Sequence, residues 1–357
     1  MVGRLHAHRT VPGCRAGDRP AGHPHQPRAT RSAPADARQS HAILAHPAPC
    51  FPKKPDVQTY TPPAQRRCPM TELQTVELEL LRQFLAVCER EGLTYYMVCG
   101  SALGAVKYGG FIPWDDDIDV ALPRADYERF CRVAPGLLPD WCFLQNYRSE
   151  PLYYRLGSKL RDSRTTFAEV MAERLDIHHG VFIDIFPLDV QWRSPADERE
   201  FRHRQAVFEA ARRVRLHYRR LSPENLPMLR TNLYRLLYLL SGYRSDTAAE
   251  VEAFDRYISS FPPGERDIWC NHANSTFPTE YAPREQYGDG VPFPFEGLTV
   301  RVPTQYDAYL TQKYGDWRAD PPPEEQVGHH GCAVFDLHRP YTECLAGGGV
   351  GGKGGAP

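Results

Sequence analysis

The sequence predicts an α+β fold, and three observations carry that prediction. Between 70 and 190, short apolar runs such as "TYYMVC" (94–99), "IDVAL" (118–122) and "GVFIDIFPLDV" (180–190) are interspersed with helical patterns. From about 195 to 262 the periodicity turns helical throughout, which adds a helical region behind the sheet. No internal repeat is present, so the 357 residues read as one large domain or two ordinary ones.

The first helix opens at Thr71-x-x-Gln74, a capping-box pattern. Leu73, Leu80, Leu81, Phe84, Leu85 and Cys88 form its apolar stripe, and Gly92 suits the position just past its end. A strand over 94–99 follows, then a short helix "SALGAVKY" entered through Gly100. The strand at 118–122 leads into the helix "RADYERFCRVAPGLL", and "YYRLGSKLRD" and "TTFAEV" read as extended segments around a turn. The strand at 180–190 is buried and is expected to stop at Pro187, which has no N–H to give a ladder. Three helical stretches come next, followed by short strands over 280–303 and a last helix at 304–315 that stops at Gly315. The expected organisation is a core at 70–190, a helical insert at about 195–262 and a C-terminal part at 263–345.

The ends differ from this body. Residues 1–69 carry 11 Lys+Arg against 3 Asp+Glu and hold 12 of the 33 prolines, with almost no apolar periodicity. Such a segment buries no core, so it is expected to be a disordered extension, with Met70 as the working start. The glycine-rich stretch 346–357 reads as a flexible tail. With the net charge of −1 overall, the remainder carries −9, which argues against a nucleic-acid binder. The ten cysteines show no C-x-x-C pair or zinc spacing, and Cys99 and Cys131 sit in apolar contexts as buried thiols. A reducing, cytoplasmic setting follows. The basic stretch at 210–220 is where any peripheral contact with the inner face of a membrane would fall.

Chemistry concentrates in "GSALGAVKYGGFIPWDDDIDVALP" (100–123). Asp115, Asp116, Asp117 and Asp119 crowd the mouth of a strand, where like charges repel unless a cation neutralises them. Residues two apart on a strand share a face, so Asp117 and Asp119 aim at one point. Hard oxygen ligands suit Mg2+ or Mn2+. An EF-hand is excluded, because Val120 stands where that loop needs glycine and Asp126 where it needs a bidentate glutamate. Gly100-Ser101, after a strand and before a helix, offers backbone N–H groups and a hydroxyl to a phosphate. Asp184, alone among Phe182, Ile183, Ile185 and Phe186, is the third carboxylate. Lys159 and Arg161 alternate on one strand face and suit a further phosphate.

This ordered set resembles the LicD family, whose relatives include the fukutin proteins. The matching stretches are "GSALGAVKYGGFIPWDDDIDVALPRADYERF" (100–130), "SKLRDSRTTF" (158–167), "GVFIDIFPLD" (180–189) and "VPTQYDAYLTQKYGDWRADPPPEEQVGHH" (302–330). The resemblance covers about 70–330 and implies a nucleotidyltransferase-type fold, a mixed sheet flanked by helices. It implies a phosphotransferase that uses a CDP-linked donor, moves phosphocholine or ribitol or glycerol phosphate to a glycan or lipid-linked glycan hydroxyl, and releases CMP. Carried over, Asp117, Asp119 and Asp184 hold Mg2+ or Mn2+, with Asp184 either ligand or base, and Gly100 and Ser101 face donor phosphate. His329 or His330 is a late polar residue of the site. Such an enzyme would decorate lipopolysaccharide or a teichoic-type polymer. A choline group asks for aromatic faces, for which Tyr108, Trp114, Tyr153 and Tyr154 are candidates. Two other functions use the same parts: a nucleotidyltransferase attacking the α phosphorus of a triphosphate, and an inactive binding module.

Overall fold

The computed structural model describes residues 69–217, 247–264, 267–274, 281–328 and 330–346. The expectations for 1–68, for the helix at 226–243, for the end of the 210–220 stretch, for His329 and for the tail from 347 lie outside these residues.

The chain has an α+β architecture. Helix α1 (Glu72–Glu91) begins with the capping box, Thr71 accepting from Gln74 N–H while the Gln74 side chain accepts from Thr71 N–H, and ends on Gly92 at φ 62°. Its stripe buries Leu80, Leu81 and Phe84 completely. Phe84 meets Tyr95 edge-on at 5.5 Å and Phe130 at 5.1 Å, so Phe84→Ala should cost about 3–5 kcal/mol. The strand expected over 94–99 is cut to β1 (Tyr96–Met97), because α2 (Cys99–Lys107) starts one residue before Gly100. Strand β2 (Asp119–Pro123) feeds directly into α3 (Arg124–Val133).

Strands β3 (Cys142–Gln145), β4 (Ser158–Asp162), β5 (Thr166–Glu169) and β6 (Phe182–Val190) follow. The main sheet runs β1-β2-β6-β4-β3, with β2 and β6 parallel and the other neighbours antiparallel. It is a mixed sheet, as expected. Strand β6 does not stop at Pro187. There β4 has already ended, at Ser158 opposite Ile185, and β7 (Ile268–Cys270) begins pairing only at Asp189, so neither antiparallel neighbour needs a donor from Pro187. Strand β8 (Tyr281–Pro283) extends the sheet beyond β7.

The helical region is α4 (Pro195–His217) and α5 (Thr247–Ile258), which pack through Phe201, Phe208, Val251, Phe254 and Ile258. Arg124 ties this layer to the sheet, bonding Asp189 at 2.5 Å and Asp255 at 3.0 Å. The C-terminal part holds α6 (Arg284–Tyr287), the hairpin β9 (Val291–Phe295) and β10 (Leu298–Val302), and α7 (Tyr306–Tyr314). Strand β11 (Cys332–Asp336) returns to pair with β5, and α8 (Tyr341–Ala346) closes the described chain. No helix among the described residues is long and apolar enough to cross a membrane. Of the two thiols read as buried, Cys99 is buried and Cys131 half-buried, and all described cysteines are free.

Candidate active site

Parallel pairing of β2 and β6 puts Asp119 directly opposite Asp184. The loop before β2 adds Asp117, and one oxygen from each of the three carboxylates lies within 4.8 Å of the others. Backbone bonds fix the arrangement. Ile118 O accepts Asp184 N–H at 2.8 Å, and Asp119 O accepts Val98 N–H at 3.1 Å. The Ser101 hydroxyl accepts Asp119 N–H at 2.8 Å. Ser101 therefore pins the strand, and its buried hydroxyl faces Asp119. Gly100 is needed for a different reason from the one expected. A Cβ there would lie 2.8 Å from Asp115 Oδ2, so glycine lets the aspartate loop rest on the start of α2. Cys99, at φ 52°, holds the left-handed conformation that few non-glycine residues adopt, and its N–H bonds the Tyr309 hydroxyl at 3.1 Å.

Charge is left unbalanced on this side. Burial first, then Asp117 and Asp116, push Asp115 up to about 8. Burial pushes Asp117 up to about 6 although His330 pulls it down. Burial, with Asp117 and Asp184 beside it, lifts Asp119 well above the usual carboxylate range. Buried like charges that cannot all ionise are a fitting donor set for a hard divalent cation.

Two contributors escaped the sequence reading, and a third was read only as one of a histidine pair. Gln74 of the capping box also holds the loop, its Nε2 donating to Asp115 O at 3.0 Å. Glu77, one turn on, is buried, and burial followed by Asp117, Asp115 and Asp116 raises its carboxyl well above normal. Among the described residues its Oε2 has no hydrogen-bond partner. A glutamate inside the apolar stripe of α1 was the available signal. His330 is the third: its N–H bonds Asp116 Oδ2 at 3.0 Å, and its ring nitrogens lie 3.2 Å from Asp116 and 3.8 Å from Asp117. Burial works against its charge, but the Asp116 bond and Asp117 outweigh that and raise its pKa.

Behind the carboxylates is a cationic node. Lys159 pairs with Asp184 across β4 and β6, its Nζ at 3.3 Å from both oxygens and at 3.7 Å from Glu169. Burial pulls Lys159 down to about 8 against the two carboxylates. Arg161 is not presented to a ligand. It is 1% exposed and bonds Gln145, Gly180 O and Glu169. The two basic residues do share a face, as read, but partners from the chain itself occupy them, Asp184 and Glu169 for Lys159 and Gln145, Gly180 O and Glu169 for Arg161.

In front, a cavity of about 870 Å3 is floored by Asp115, Asp117 and Asp119. Trp114 and Tyr108 line it and meet edge-on at 6.3 Å. Tyr153 and Tyr154, the other aromatic candidates, are buried away from it in the interior. The segment joining α7 to β11 forms the far wall with Asp316, Asp320, Glu324 and Glu325. Asp320 anchors that segment, 2.6 Å from Lys107 Nζ and 2.5 Å from the Tyr108 hydroxyl.

Fold and site together define a nucleotidyltransferase-type domain with a carboxylate triad at the edge of a mixed sheet. Residues 92–214 match the nucleotidyltransferase domain of the LicD/FKTN/FKRP group. Through this region the chain is similar to the LicD family. It is 27% identical over 282 residues to the lipopolysaccharide cholinephosphotransferase LicD of Haemophilus influenzae, covering 74% of this chain and 97% of that protein. A shorter match, 28% identical over 71 residues, joins 20% of this chain to 23% of an uncharacterized protein of Rickettsia typhi.

Proposed function

We propose that the protein is a divalent-metal-dependent phosphotransferase. It moves a phospho-alcohol group, phosphocholine first among the candidates, from a CDP-linked donor to a sugar hydroxyl of a surface glycan such as lipopolysaccharide or a teichoic-type polymer. The observation that carries this reading is the convergence of Asp117, Asp119 and Asp184, two of which, Asp117 and Asp119, floor a cavity lined by aromatic and acidic side chains. The near full-length similarity to a cholinephosphotransferase supports it.

Asp117 and Asp119 would hold Mg2+ or Mn2+, with Asp184 as the third ligand or as the base for the acceptor. The bound cation would supply charge neutralisation for the donor diphosphate and the departing CMP. Lys159, 3.3 Å from both Asp184 oxygens, holds that carboxylate in place. The edge-on pair of Trp114 and Tyr108 and the acidic wall beyond it offer a quaternary ammonium a π face and negative charge. Ser101 and Gln74 hold the aspartate loop in place, so the work of the site is positioning. The protein would act in the cytoplasm, at most peripherally on the membrane.

The test is a turnover assay of the full chain with CDP-choline, CDP-ribitol and CDP-glycerol in Mg2+ or Mn2+, read as CMP release. Metal-dependent CMP from one donor, lost in Asp117→Asn, is the expected result. Pyrophosphate from a nucleoside triphosphate, with no CMP from any CDP-linked donor, would replace this reading with nucleotidyl transfer.

A further inference from the structure

The node behind the carboxylates contains one cation that is partly open to solvent. Glu169 and Asp184 face three cations: Lys159, Arg161 and Arg155. Two of these are sealed, with Lys159 and Arg161 side chains each 1% exposed. Arg155 is the exception at 32%. Its Nη2 bonds Glu169 Oε1 at 2.9 Å and its Nε lies 3.5 Å from the Tyr154 hydroxyl. Among the described residues its Nη1 takes no hydrogen bond. Tyr154 packs against the guanidinium at 5.6 Å, which limits its swing.

We infer that Arg155 is an anion-binding residue that takes a phosphate group of the substrate, the role the sequence suggested for Lys159 and Arg161. The inference rests on the phosphotransferase reading for the identity of the anion. Glu169 aims the guanidinium by holding one edge of the fork and leaves the other edge to solvent. A phosphate presents paired oxygens that match such an edge. The chain of contacts Arg155–Glu169–Lys159–Asp184, at 2.9, 3.7 and 3.3 Å, places this charge beside the triad.

The experiment titrates the full-length protein with CMP and with pyrophosphate in Mg2+, comparing wild type, Arg155→Met and Arg155→Lys. Methionine keeps the stem against Tyr154 and lysine keeps the charge. Arg155→Met should weaken CMP or pyrophosphate binding about tenfold or more, with Arg155→Lys in between and thermal midpoints near wild type. Wild-type binding by Arg155→Met would overturn the inference. So would weak binding that follows a lowered thermal midpoint and is not partly restored by lysine, since Arg155 would then only support Glu169. No binding by the wild type would also overturn it. Arg155-dependent binding without CMP release from any CDP-linked donor would sustain the inference while the CDP-linked reading fails.

Discussion

The two flanks of the candidate site handle buried charge in opposite ways. Around Glu169, three cations surround one carboxylate; burial alone would raise it, but Lys159, Arg155 and Arg161 hold it far below the usual range. Around Asp117, the carboxylates of Asp115, Asp116, Asp119 and Asp184 and of Glu77 on α1 come together, and His330 is the main counterweight. The first flank is completed by the chain itself. The second is stable only if protons or a cation from outside complete it. A protein that can neutralise one buried carboxylate so fully, yet leaves its neighbours repelling each other, fits the cation site proposed for the second flank.

The largest test of this contrast is Asp117→Asn or Asp119→Asn. Either should lower turnover by about 10³-fold or more, since an organising charge is lost at the reacting centre. In EDTA the same variants should unfold at a higher temperature than wild type, because one repelling charge is gone. A lower midpoint in EDTA would break the contrast. On the other flank, Glu169→Gln should destabilise by about 3 kcal/mol, as expected when a buried pair loses one partner, and urea unfolding reads it. Relief of strain on removing Glu169 would show that the flanks are alike.

The pH response sharpens the same point. Asp115 at about 8 and Asp117 at about 6 both sit above the unfolded value near 3.8. The folded state therefore keeps protons that the unfolded chain loses. Their contribution to stability is full below about pH 4 and is lost as pH rises through 6 and 8. A bound divalent cation takes the protons' place, so the rise in thermal midpoint caused by Mg2+ should be larger at pH 8 than at pH 5.5. Scanning calorimetry with and without EDTA measures this, and an equal rise at both pH values would count against cation binding by these residues.

The smallest expected effect lies at the acidic wall. Asp320→Asn removes a partly exposed ion pair with Lys107 and should cost at most about 1 kcal/mol. Because Asp320 anchors the segment facing the triad, the KM for the donor should rise while kcat holds. A fall in kcat with KM unchanged would place that segment in the chemistry instead.

Much of this was legible in order along the chain. The capping box at Thr71, the Asp117-x-Asp119 face and the lone acid Asp184 each depend on residues within a few positions, where propensity and side-chain period decide. What stayed hidden depended on distant partners. Lys159 and Arg161 read as a pair for a phosphate, because no local pattern says that Asp184 and Glu169 meet them from other strands. Strand β6 read as ending at Pro187, because its neighbours' lengths were unknown. His330 reaches Asp116 from 214 residues away, a closure no short motif encodes.

The sequence alone determined which side chains carry charge, which segments are helical or extended, and that Asp117 and Asp119 fall together at the start of β2. Only the tertiary structure decided which charges meet. Parallel pairing set Asp119 against Asp184, antiparallel pairing buried Lys159 on the same carboxylate, and the return of β11 to β5 brought His330 to the loop. The physical reason is that periodicity reports a residue's face and burial, whereas electrostatic balance depends on distances between strands that only the fold sets.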